Sequence, residues 1–98
     1  MILSNKNIIK YENDGYITPS WNLPINKLQF LKKYIDKIII DNPNIRPEQI
    51  VCPHIKGGTK GELKTIEHKF FLQLAHTQEI IDMISQILGE NLILWGSQ

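Results

Sequence analysis

The side chains in this sequence best suited to chemistry are three histidines, His54, His68 and His76, and one cysteine, Cys52. A non-haem Fe(II) site takes two histidines and a carboxylate on one face of the metal, leaving positions open for oxygen and substrate. On a strand that pattern reads His-x-Asp or His-x-Glu, because residues two apart point the same way. The residues two beyond the histidines here are Lys56, Phe70 and Gln78, none of them a carboxylate. A zinc-protease pair needs i, i+4 spacing on a helix, whereas His68 and His76 stand eight apart. These two read as ordinary helix-surface or half-buried residues. His54 differs, because it lies between Pro53 and Ile55 in an extended segment just before a glycine loop. It suits either a structural hydrogen bond to a loop carbonyl or a place on the rim of a substrate or cofactor site.

The loop Lys56-Gly57-Gly58-Thr59-Lys60-Gly61 resembles a phosphate cradle in composition. It lacks the G-x-x-x-x-G-K-[ST] order and does not join a strand to a helix, so it reads as a surface loop. Cys52 has no base beside it in sequence and reads as a packed thiol. Eleven basic and ten acidic residues are well mixed, for a net charge of +1. That balance gives no electrostatic footprint for nucleic acid or an anionic membrane, and no aromatic–basic interleaving suggests base stacking. No apolar run approaches the ~20 residues of a spanning helix. Met1 is not followed by a basic region and an apolar core, so no signal peptide is read. A single cysteine suits a reducing compartment, and a cytoplasmic location is expected.

The elements that must position these groups are mostly helical. Ser4 is placed to cap a helix over Asn5 to Asn13, which Asp14-Gly15 ends. Tyr16-Ile17-Thr18 favours a short strand. Ile25, Leu28, Leu31, Ile35, Ile38 and Ile39 recur at three- and four-residue steps and predict an amphipathic helix, which Asn42-Pro43-Asn44 breaks. Arg46 to Ile50 suits one helical turn with Pro47 at its first position, and Val51 to Ile55 an extended link. A helix is expected from Glu62 or Thr65 to Ala75, burying some of Leu63, Ile66, Phe70, Phe71 and Leu74. Thr77 then caps a helix through Leu88, with Glu79 in its first turn and Gly89 as its stop. Leu92 to Gln98 follows as a nearly all-apolar strand whose backbone needs neighbours. Leu92, Leu94, Gly96 and Gln98 share one of its faces, and Ile93, Trp95 and Ser97 the other.

Four segments carry a family resemblance. Tyr11-Glu12-Asn13-Asp14-Gly15-Tyr16-Ile17 resembles the aromatic-x-x-x-Gly-Tyr-Val opening of the phytanoyl-CoA dioxygenase family, which comprises Fe(II)- and 2-oxoglutarate-dependent oxygenases. The long helix beginning near Pro24 is the second point of similarity. Arg46 to His54 is similar to the link of one subgroup, and Ile81 to Gln98 resembles the family's helix, Leu-Gly, then strand step with Leu-Trp-Gly-Ser. The match runs in order across nearly the whole chain.

This resemblance implies an α+β fold. Residues 1–98 would be the N-terminal portion of a single domain, the helical flank and first strands of a double-stranded β-helix (jelly roll), truncated before the barrel is complete. The complete enzyme would use Fe(II) and 2-oxoglutarate to hydroxylate a small organic substrate. The family's His-x-Asp…His iron site and its 2-oxoglutarate lysine and arginine have no counterparts in this sequence. No catalytic, metal or cofactor-binding residue therefore carries over, and the chain is expected to be inactive alone. Gln98 and His54 are the candidate substrate-facing residues, with Trp95 packing outward against the helices. Two alternatives stand beside this reading. The missing barrel portion could come from another chain, or the sequence could be a stand-alone helical module that binds a protein partner, its Ile25–Ile39 face packed on Ile80–Leu88.

Overall fold

A computed structural model of the chain describes residues 2–64 and 67–98. Among these residues the chain forms four α-helices, α1 (Asn5–Asp14), α2 (Ile25–Asp41), α3 (His68–Ala75) and α4 (Gln78–Leu88), with one 3-10 turn at Pro47–Gln49. It divides into two compact units, Met1–Asn22 with His76–Ile93, and Leu23–Ala75 with Leu94–Gln98.

In the first unit, α1 starts where the sequence places it. The Asn7 backbone N–H donates to the Ser4 hydroxyl at 3.2 Å, and the Ser4 N–H donates to Asn7 Oδ1 at 3.0 Å. Two of the donors left free at the helix start are thereby satisfied reciprocally. Gly15, at φ 81°, closes the helix by donating to the Tyr11 carbonyl at 2.8 Å. A side chain at that φ would meet the carbonyl crowding that glycine avoids. On α4, Met83 is the buried residue, Ile80, Ile81 and Ile87 are half-buried, and Ile84 and Leu88 are exposed. Thr77 stands at the expected cap position, although its side chain makes no capping bond. The side-chain amide of Gln86 holds the chain's beginning: Leu3 N–H donates to Oε1 at 3.0 Å, and Nε2 donates to the Leu3 carbonyl at 2.9 Å.

The second unit is built on a core of Ile38, Ile50 and Leu63, with Ile39, Ile45 and Phe71 packed against it. Phe30, Tyr34, Phe70 and Phe71 run as a chain of ring contacts from α2 to α3, the Tyr34–Phe70 centroids lying 4.6 Å apart. The stripe on α2 is only partly covered: Ile38 is buried, Leu28, Leu31 and Ile39 are half-buried, and Ile25 and Ile35 are exposed. Pro47 occupies the first position of the 3-10 turn, as its fixed φ and missing N–H favour. Glycine is required at position 58, where φ is +66° and an added Cβ would lie 3.0 Å from the Leu63 Cβ. The close approach of the glycine loop to the core depends on it.

The structure corrects the expected fold class. Among the described residues there is no strand, so the α+β fold with the first strands of a double-stranded β-helix is not what this chain forms. Tyr16-Ile17-Thr18 and Leu92 to Gln98 form no ladder. The physical reason is that β propensity records how well a residue fits a pleated, half-buried surface, and supplies no partner. Without adjacent strands, these segments stay irregular. Trp95 does not pack against helices, being 94% exposed, and Ile93 is 86% exposed. The helix expected from Glu62 or Thr65 begins at His68, and Leu63 is buried ahead of it. Thr65 and Ile66 lie outside the described residues.

Candidate functional site

The 3-10 turn and Pro53 force the chain into a tight link that carries Cys52 and His54 to the glycine loop. Cys52 has φ 54°, the left-handed region, uncommon for a residue with a side chain. That geometry costs about 1–2 kcal/mol in an L-residue. The turn it makes aims the Cys52 N–H at the Ser97 carbonyl, which accepts at 2.7 Å. The Ile55 N–H returns to the Cys52 carbonyl at 3.1 Å, and the Gly58 N–H to the Ile55 carbonyl at 2.9 Å. The link is thus a run of consecutive turns fixed at one point to the segment 94–98.

A second contact is made by side chains. His54 Nδ1 and Ser97 Oγ share a 2.6 Å hydrogen bond across 43 residues. With Nδ1 unprotonated the hydroxyl donates, and with Nδ1 protonated the ring donates. Both groups are half-buried. Val51, Cys52, Trp95, Gly96, Ser97 and Gln98 line a shallow cleft of ≈ 460 Å³. The half-buried Cys52 borders this cleft beside Gly96, where an added Cβ would lie 3.8 Å from the Cys52 sulfur.

The thiol is held below its ordinary pKa. The Thr59 hydroxyl contributes most by hydrogen bonding to the sulfur, the Ser97 backbone adds to it, and burial opposes both weakly. Stabilising the thiolate raises the fraction of nucleophile at neutral pH. Alkylation of Cys52 with iodoacetamide should reach its half-maximal rate at a lower pH than a free cysteine peptide. Thr59→Val should move that midpoint upward. An unchanged midpoint would show that the hydroxyl does not hold the thiolate.

Of the two substrate-facing candidates, His54 is committed to Ser97 rather than to a loop carbonyl, and Gln98 is exposed next to that contact. The structure therefore brings the neighbourhoods of both residues together at one cleft. His68 is half-buried at the start of α3, and His76 is exposed beyond its end. Cys52, which sequence reasoning gives only a packing role, lines the cleft with its thiol held below the ordinary pKa. A positive-φ residue cannot be seen in composition, and Thr59 looks like any loop threonine.

A double-mutant cycle on His54→Ala and Ser97→Ala should give a coupling of about 0.5–1.5 kcal/mol, the range of a neutral, partly buried hydrogen bond. Chemical unfolding of the four proteins measures it. Strict additivity would mean the two side chains do not share a bond in solution.

Among the described residues, no three His, Cys, Asp or Glu side chains gather as metal ligands would, and no helix is long and apolar enough to cross a membrane. The residues present do not fit an Fe(II) site: among the described residues no set of three ligand side chains gathers around His54, and the residue two beyond it is Lys56 rather than a carboxylate. No family model, curated protein or solved structure matches the chain.

Proposed function

We propose that this chain is the N-terminal helical portion of an Fe(II)- and 2-oxoglutarate-dependent oxygenase similar to the phytanoyl-CoA dioxygenase family, and that alone it catalyses nothing. The observation that carries this reading is the meeting of two resembling segments. The Arg46–His54 link and the Leu-Trp-Gly-Ser step are far apart in sequence, yet Cys52 and His54 both bond to Ser97. A pair of motifs selected together in one enzyme would be expected to touch. The chain's contribution is to shape one side of a cleft, with Gln98 and the Cys52 thiol on its surface. Iron and 2-oxoglutarate chemistry would be supplied by polypeptide bearing the His-x-Asp…His ligands.

The 94% exposure of Trp95 supports a reading in which other polypeptide covers this segment.

Both points are tested by one experiment. The chain is purified alone, and also co-expressed with the barrel portion of a phytanoyl-CoA dioxygenase family protein, beginning just before that protein's 2-oxoglutarate lysine. Succinate formation is measured with added Fe(II) and 2-oxoglutarate. The expected result is no succinate from either polypeptide alone, and chelator-sensitive succinate from the pair. Turnover by the isolated chain would refute its inactivity. Failure of the two polypeptides to co-purify, with no turnover, would remove the oxygenase reading.

A further inference from the structure

We draw no further inference here: the strongest candidate, the Cys52 thiol beside Thr59 and Ser97 in the cleft next to the glycine loop, is a lone cysteine within the site already described, and nothing in the structure points to a ligand for it.

Discussion

Asn42→Ala is expected to destabilise the unit that holds α2 by about 2–4 kcal/mol, more than any other polar substitution there. Asn42 is 5% exposed and its side chain makes three hydrogen bonds. Nδ2 donates to the Ile38 carbonyl at 2.8 Å and to the Lys64 carbonyl at 3.0 Å, while the Lys64 N–H donates to Oδ1 at 2.9 Å. At the end of α2 the Asn42 N–H goes to Ile39, so the Ile38 carbonyl lacks its main-chain partner. The side-chain amide supplies it, and the same amide binds both backbone groups of Lys64. Alanine would leave an N–H and two carbonyls without that partner. Urea unfolding followed by far-UV circular dichroism measures the loss, and hydrogen exchange at the Lys64 amide should lose its protection.

Asn42→Asp separates hydrogen bonding from shape. It is nearly isosteric, yet an ionised carboxylate would face two carbonyl oxygens and donate to neither. Burial and those oxygens favour the protonated acid, so its folded-state pKa should lie above the unfolded value of about 3.9. A raised folded pKa means that the penalty is relieved as pH falls through it, and the recovery is complete below the unfolded value. Asn42→Asp should therefore gain stability relative to the parent on acidification, whereas Asn42→Ala should keep a constant deficit. Parallel curves for the two variants would show that the clamp contributes through packing alone.

The sequence carries the helices because their signals are local. Ser4, Gly15, Pro47 and Gly89 act on groups within one turn of themselves, and each stands at the boundary it predicts. What was not legible is whatever depends on a partner distant in sequence. Tyr16–Thr18 and Leu92–Gln98 have strand composition, but a ladder is a property of two segments, and periodicity reads one. Asn42 reads only as a helix break beside Pro43, since its partner Lys64 is 22 residues away. His54 stands out by its setting between Pro53 and the glycine loop, which leaves open a structural hydrogen bond to a loop carbonyl or a place on a substrate rim; the structure gives it a bond to Ser97. That its partner would be a hydroxyl 43 residues on, rather than a nearby carbonyl, has no local trace. Met83 lay within a helix whose isoleucines are more conspicuous, and yet it is the buried residue of α4.

Leu3→Ala should cost about 2–5 kcal/mol, the largest single effect expected in the unit formed by the chain's beginning and α4. Leu3 is 1% exposed, more fully buried than any other large side chain among the described residues. Its backbone is separately fixed, both polar groups being paired with the Gln86 amide across 83 residues. The substitution thus removes buried carbon while leaving the clamp's partners in place, and cavity and transfer terms add. Leu3→Met keeps the volume and should cost less than about 1.5 kcal/mol. Gln86→Ala makes the complementary change: it keeps the leucine and orphans its N–H and C=O, at about 1–3 kcal/mol. Because the leucine and the amide act on one residue, the double variant Leu3→Ala/Gln86→Ala should lose less than the two singles combined. Chemical unfolding of the set tests this. A cost for Leu3→Ala no larger than that for Leu3→Met would mean that the side chain is not enclosed, and that the start of α1 is held to α4 by the Gln86 amide alone.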